Sequence, residues 1–480
     1  MQRLISATRV ATLVGDFDRS PAYAGLAHAL RLLIGEGRIP FDTRLPSERE
    51  LTDVLGVSRT TVTRAYAELR DRGFAEARQG AGTFTRIPGG PGRALDRVLT
   101  PRSDGEDLID LNCAAAPAPP GLAAAYEEAV AELPAYFSGH GYYPAGLPEL
   151  QRAIARTYDA RGLPTDPDQI MVTPGALAAT AVVAQACTGP GDRVLVEMPV
   201  YPNATRALAQ RATRIIGAAV DVDGWDLDGI GATIRQTSPR AAYLIPDFQN
   251  PTGNLMTDAE RERYAAVLAR TRTLAVVDEA HQALSLEGQR MPMPFAAHVE
   301  AAGGSAVTLG SASKMFWGGL RLGWIRAPKE RLDAITEARL SLDLGVPVLE
   351  QLVLARILLA PDEMLAAHRA RLREQRDRLA AAVTAQLPDW TFRLPAGGLA
   401  LWCRLPLPLA SAVAAEAEVR GVVLAPGPVF STEGGYDHFL RIPWTRAADE
   451  LEEAVSRLAE AWAAAQTSTG RRTADRVMVA

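Results

Sequence analysis

Lysine is almost missing from this chain. Of its 51 basic residues two are lysine, Lys314 and Lys329, and the other 49 are arginine. Arginine therefore serves wherever a positive charge suffices, and a retained lysine points to amine chemistry that a guanidinium cannot perform. Lys329 lies in a surface-like APKERLD stretch, which leaves Lys314 as the one of interest. Cysteine is scarce too. Cys113, Cys187 and Cys403 are an odd, scattered set, which excludes a disulfide framework and fits free thiols in a reducing cytosol. Six histidines form no zinc-type spacing with them, so no metal site is expected. No apolar run reaches the roughly 18–20 residues needed to span a bilayer, and MQRLISATRV has no signal-peptide pattern.

The balance is that of an ordinary globular protein, with 48% hydrophobic and 22% charged residues. Its 480 residues suggest about three structural units. Net charge is −5 but unevenly spread. Residues 1–88 hold 13 Arg against 10 Asp/Glu, and the remainder 38 Lys/Arg against 46 Asp/Glu. A mildly basic head on an acidic body permits nucleic-acid binding by the head.

The head has a recognisable rhythm. Residues 22–36 carry Leu26, Ala29, Leu30 and Leu33 at helical spacing. Ser47 with Glu50 three residues on is a capping box, Leu51, Val54 and Leu55 follow as a stripe, and Gly56 ends that helix. Ser58 caps the next helix, with Val62, Ala65, Tyr66 and Leu69 inside and Gly73 as the stop. FAEARQGAGTFT then reads as two short strands around a glycine-rich tip. Helix, turn, helix and β-wing make a winged helix-turn-helix. Its second helix exposes Arg59, Thr60, Thr63 and Arg64 near the end that reaches base edges in a major groove. A solvated charged face is the plainer alternative.

LPSERELTDVLGVSRTTVTRAYAELRDRGF with GAGTFT resembles the DNA-binding head of GntR-type bacterial regulators over residues 20–88. The resemblance implies DNA contact at Arg49, at Ser58, Arg59, Thr60, Thr61 and Thr63, and at Gln79 and Gly80 of the wing. Some members have Arg where this chain has Thr63, with Arg64 next door.

Residues 89–106 are rich in Gly, Pro and charge and read as a linker, and 466–480 read as a flexible tail. Residues 107–465 alternate short apolar runs with Ala-rich helical stretches, the pattern of a doubly wound, mostly parallel α/β sheet. Its large part is expected at 150–343, and a smaller α+β part at 107–149 with 344–465. In such sheets polar residues just past the strands face the ligand crevice. Those residues are Gly175–Ala176–Leu177, Tyr201, Asn250 of NPTG, Asp278, Ser311–Ala312–Ser313–Lys314 and Arg321. Singly, each has a structural explanation. Together they suit pyridoxal 5′-phosphate (PLP), which needs an amine for its aldehyde, a carboxylate for its pyridinium, a donor for its phenolate and a cradle for its phosphate.

NPTG, the Asp of VVDEAH and SASKMFWGGLRLGW resemble the fold-type-I aminotransferases over residues 108–460. The resemblance implies Lys314 as the Schiff-base lysine and Asp278 as the pyridinium partner. It gives Asn250 the phenolate oxygen, Tyr201 the ring, and Ser311, Ser313 and Arg321 the phosphate. Arg441 of LRIPW matches an arginine that grips an α-carboxylate. Tyr142 matches a tyrosine reaching the phosphate of the partner subunit, with Tyr143 as the competing register. Many members have Tyr, bonded to the phenolate oxygen, where this chain has His281; a core histidine is the other reading. Head and body together resemble the MocR family of regulators. That implies a cytoplasmic homodimer which binds operator DNA and senses an amine, an amino acid or PLP itself through aldimine chemistry on Lys314. A working aminotransferase with an appended head is the alternative.

Overall fold

The computed structural model describes residues 3–35, 38–39, 42–78, 80–86, 108–210, 213–432 and 434–474. The expected linker at 89–106 and the proposed wing contact Gln79 lie outside the described residues. The chain separates into two compact units: residues 1–105 with 118–128, and residues 106–117 with 129–480.

The first unit holds α1 (Ala7–Val14), α2 (Ala22–Gly35), α3 (Glu48–Leu55) and α4 (Arg59–Asp71), with the first part of the helix Leu122–Glu132, whose Glu127 pairs with Arg31. They pack with a small sheet of β1 (Arg3–Leu4), β2 (Thr43–Arg44), β3 (Ala75–Arg78) and β4 (Gly82–Thr85), ordered β1-β2-β4-β3. The caps form as the sequence requires. Ser47 accepts from the Glu50 backbone N–H while the Glu50 carboxylate accepts from the Ser47 N–H, and Gly56 closes α3 at φ 64°. Ser58 caps α4 through the Thr61 N–H. Val62, Ala65, Tyr66 and Leu69 are the buried face of α4, and the Tyr66 hydroxyl donates to the Pro46 carbonyl at 2.9 Å, fixing α4 against the start of α3. Helix α1, too short to stand out by periodicity, supplies Val10 and Val14 to the same core.

In the second unit a short strand β5 (Ile109–Asp110) is followed by the main sheet. Its strands are β6 (Ile170–Thr173), β7 (Arg193–Met198), β8 (Arg214–Asp221), β9 (Gly224–Trp225), β10 (Ala241–Leu244), β11 (Leu274–Asp278), β12 (Ala306–Ser311) and β13 (Gly323–Arg326). The order is β6-β13-β12-β11-β10-β7-β8-β9. Six strands run parallel; β13 opposes both its neighbours, and β9 turns back on β8. Strands β6, β10, β11, β12 and β13 are buried throughout, as a sheet covered by helices on both faces requires. A smaller sheet, β14 (Ala400–Arg404), β16 (Ala425–Pro426) and β17 (Phe439–Pro443), packs with a separate apolar core that includes Trp390, Trp444 and Trp462. Between them in sequence, β15 (Val422–Val423) pairs with β5.

Residues 466–474, read from sequence as tail, instead continue the helix Ala448–Ala474. That helix is packed through Ala465, and the turns that follow propagate from its packed part.

Candidate functional site

The site assembles where parallel strands end. Strand β11 ends on Asp278, and its neighbour β12 ends on Ser311, three residues before Lys314. Strand β6 leads to Gly175, the N-cap of helix Ala176–Cys187. Arg321 precedes β13, which lies between β6 and β12. The segment after β10 delivers Asn250, and β17 brings Arg441 from the smaller sheet.

Lys314 donates through Nζ to the Ala114 carbonyl at 2.7 Å. Burial holds its amine below the ordinary lysine value, and the charges of Arg441 and Arg321 push the same way. Arg441 is buried. Its Nη2 donates to the Asn112 carbonyl at 2.5 Å and its Nη1 to Asn250 Oδ1 at 3.4 Å, while Nε has no partner. Burial lowers its pKa to about 10. Residues 112–114 thus pass beside both cations, 200 positions before Lys314 in sequence.

Asp278 is buried with both oxygens engaged: Tyr243 donates its O–H to Oδ2, and the Ala280 N–H donates to Oδ1 at 2.8 Å. Burial raises its pKa, and those two donors work against the rise. His281, also buried, has Nδ1 2.9 Å from the Phe248 carbonyl, with its pKa lowered by burial to about 4. Phe248 itself sits at φ 49°, a strained conformation for a bulky side chain.

Arg321 adopts φ 51° and lies against Gly175, where an added Cβ would come within 3.3 Å of its Nη2. The packing is tighter at Gly323, whose Cβ would fall 2.6 Å from the backbone of Gly175 and Ala176. Gly175 therefore meets Arg321 at the start of a twelve-residue helix whose first residues are Ala176 and the half-exposed Leu177, a setting suited to an anion. Ser311 caps the short helix Ala312–Met315 by accepting from the Ser313 N–H. Tyr201 accepts from Asn203 Nδ2 at 3.0 Å. Tyr142 stands apart: it is 59% exposed and its ring stacks on His140.

Three contributors escaped the sequence reading. Tyr243 orients Asp278 from inside the apolar run AAYLIP. His368 is buried, with Nε2 3.3 Å from the Lys314 carbonyl. Glu197, fully buried on β7, accepts from Trp225 Nε1 at 2.6 Å and from the Ile245 N–H at 3.0 Å. Burial pushes its pKa up to about 7, and the charge of Asp278 adds to the rise. By contrast Lys329 is exposed and paired with Asp166 at 2.6 Å and Asp168 at 3.4 Å, which raise its pKa.

In the head, Arg49, Ser58, Arg59, Thr60, Thr63 and Arg64 are exposed. The Ser58 and Thr61 hydroxyls bond one another at 2.8 Å in the helix cap. Thr63 donates to Glu48, which also lies 3.7 Å from Arg59 Nε. The Arg64 guanidinium covers the Tyr23 ring at 3.6 Å, so its charge is used within the head. Gly80, at φ 74°, forms the wing tip.

Comparison with known families agrees with this architecture. The model of class I and II aminotransferases matches residues 126–458, well over half of the chain. The chain belongs to the class I and II aminotransferase family. The model of bacterial regulatory proteins of the gntR family matches residues 22–85 of this aminotransferase relative. An uncharacterized HTH-type transcriptional regulator of Escherichia coli, YdcR, is 28% identical over 91% of this chain and 98% of its own length. The probable rhizopine catabolism regulatory protein MocR of Rhizobium meliloti is 29% identical over 67% of this chain and 68% of its own. Head and body together have the make-up of MocR-family regulators. The solved structure of LysN, an alpha-aminoadipate aminotransferase from Thermus thermophilus complexed with N-(5′-phosphopyridoxyl)-L-leucine, superposes with a TM-score of 0.69. It is 27% identical and the match covers 75% of this chain and 93% of that one. The aminotransferase class I/II fold implies PLP as the cofactor, and the gntR-type head implies DNA as a partner. Among the described residues no helix is long and apolar enough to cross a membrane, and no cluster is suited to a metal ion.

Proposed function

We propose that the protein is a cytoplasmic, homodimeric transcription regulator whose body holds PLP on Lys314 and whose affinity for operator DNA responds to a small amine or amino acid. One observation carries this reading. In a chain with two lysines, one is half-buried at the sheet's ligand end, close enough to the charges of Asp278, Arg321 and Arg441 for all three to act on its amine.

The residues fit the cofactor. The glycine-lined start of helix Ala176–Cys187 with Arg321 suits a phosphate, and Asp278 suits a pyridinium nitrogen. Asn250 offers an amide to a ring oxygen and Tyr201 a face to the ring. When bound, PLP supplies an aldehyde that a primary amine can capture. Lys314 offers that amine, and its lowered basicity leaves more of it unprotonated and nucleophilic. Asp278, held in one plane by Tyr243 and the Ala280 N–H, keeps a proton on the ring nitrogen. Arg441, buried with Nε unpartnered, calls for an anionic group and so favours effectors with a carboxylate. An effector alters transcription only by binding two conformers of the body unequally. Tyr142, exposed and outside this cluster, is proposed to complete the phosphate site of the partner subunit. The reading gives the head's exposed Arg49, Arg59 and Thr60 to DNA.

The test is borohydride reduction of the PLP-loaded protein, followed by peptide mapping and by operator binding with and without amines. One reduced cofactor per chain on the Lys314 peptide, lost in Lys314→Ala, together with amine-dependent operator affinity, is expected. An adduct persisting in Lys314→Ala overturns the lysine assignment. Conversion of amino acids to keto acids with no effect on DNA affinity would favour the enzyme, for which Lys314, Asp278 and Arg441 are all present.

A further inference from the structure

Hydrogen-bond polarity within the site is fixed by neighbours that can play one role only. A backbone carbonyl can only accept, so the His281 nitrogen facing the Phe248 carbonyl at 2.9 Å carries the ring's hydrogen. In the neutral ring, Nε2 is then the bare lone pair. The ring is buried, and the positive charges of Lys314 and Arg441 oppose its protonation. Asn250 is fixed in the opposite sense. A guanidinium has no acceptor, so Arg441 Nη1 beside Oδ1 at 3.4 Å turns the amide oxygen toward Arg441 and leaves Nδ2 as the donor. His368 provides an internal contrast. Arg371 Nη2 lies 3.1 Å from its Nδ1 and the Lys314 carbonyl 3.3 Å from its Nε2, so its hydrogen sits on Nε2. The two buried histidines near Lys314 are opposite tautomers.

We propose that His281 enters the ligand site as a hydrogen-bond acceptor, beside Asn250, to which the cofactor reading already gives the ring oxygen. The proposal makes His281 a positioning residue and rests on the PLP reading for the identity of the ligand. A lone pair at Nε2 is repelled by an anionic ring oxygen and attracted by an N–H or O–H. Held by one donor instead of two, the cofactor's ring oxygen is the less stabilised as an anion. It therefore keeps its hold on the proton shared with the nitrogen joined to Lys314, and the loaded protein changes its visible band at a higher pH. Tyrosine at the same place would bring an O–H donor and lower that pH.

Two measurements on the full chain test this. The first is the nitrogen-15 spectrum of selectively histidine-labelled protein without added cofactor, with His281 identified by its loss in His281→Phe. The Nδ1–H tautomer at neutral pH is expected; an Nε2–H tautomer or a doubly protonated ring overturns the proposal. The second is a pH titration of the visible absorbance of PLP-loaded wild type, His281→Phe and His281→Tyr. The tyrosine variant is expected to shift the midpoint down by about one pH unit, with the phenylalanine variant near wild type. A midpoint that rises in His281→Phe means that His281 was donating and overturns it, as does a tyrosine variant with an unmoved midpoint. If no visible band forms in any of the three while the Nδ1–H tautomer is present, the cofactor reading fails and the polarity of His281 stands.

Discussion

Replacing Glu197 by glutamine is expected to change how the body's stability depends on pH. Glu197 is fully buried, and burial raises its pKa from 4.5 to about 7. The folded state therefore binds a proton that the unfolded state has released between these values. The stability that proton contributes is fully present below pH 4.5 and is lost as pH rises through 7. The shift corresponds to about 3 kcal/mol between pH 4.5 and 8. Glutamine keeps the shape and removes the titration. It also introduces a fixed penalty, because its amide group meets either the Trp225 indole N–H or the Ile245 N–H, both donors. That penalty, about 1–3 kcal/mol, does not vary with pH. The assay is urea unfolding of both proteins from pH 4.5 to 8, followed through the body's transition. Subtracting the curves cancels every other titrating group. The wild type should lose about 3 kcal/mol relative to Glu197→Gln as pH rises. Parallel curves would refute the argument and show that the ionised carboxylate is already well solvated by its two donors.

Three other outcomes follow from named contacts. His368, whose pKa burial lowers to about 4, contributes stability that is present above pH 6.5 and lost as pH falls through 4. His368→Gln should reduce acid sensitivity by about 2–3 kcal/mol in urea unfolding, and an unchanged acid limb would count against this. Gly323→Ala places a methyl 2.6 Å from the backbone of Gly175 and Ala176, which cannot yield as a side chain can. A loss of about 1–3 kcal/mol with weaker PLP retention is expected, and wild-type values for both would refute the tight packing. In the head, Arg59→Ala should weaken operator binding in a fluorescence anisotropy titration by about 1–3 kcal/mol if Arg59 reads a base. Arg64→Ala should instead lower the head's stability by about 0.5–1 kcal/mol through its contact with Tyr23, and the reverse pattern would overturn this division of roles.

What could be read from the sequence follows a physical division. Capping residues act within one turn, so Ser47, Glu50, Gly56 and Ser58 revealed α3 and α4. Buried parallel strands are short apolar runs, so the first polar residues after them, Asp278 and Lys314 among them, stood out and do meet at one end of the sheet. Partnerships across long separations left no such trace. The carbonyls of Asn112 and Ala114 reach Arg441 and Lys314 over 329 and 200 positions, and backbone atoms carry no residue signature. His368 lies within a 25-residue helix, buried along with Leu365 and Leu372. Tyr243 and Glu197 lie inside short, mostly apolar strands, where a single polar side chain does not announce its partner. The end of the last helix was misplaced because Thr, Ser and Gly at 467–470 are weak helix formers that stop a helix only when nothing propagates into them.

The two lysines differ in more than location. Lys329 is exposed, and Asp166 and Asp168 strengthen its hold on its proton, whereas burial loosens the proton on Lys314. An aldehyde reacts with the free amine and not with the ammonium. Among side-chain amines, free pyridoxal phosphate therefore meets one exposed lysine that holds its proton tightly beside two carboxylates and one half-buried lysine that releases it more readily. With 49 of the 51 basic residues arginine, no other side-chain amine competes for a simple aldehyde. Side-chain labelling by such an aldehyde should fall on Lys314 before Lys329.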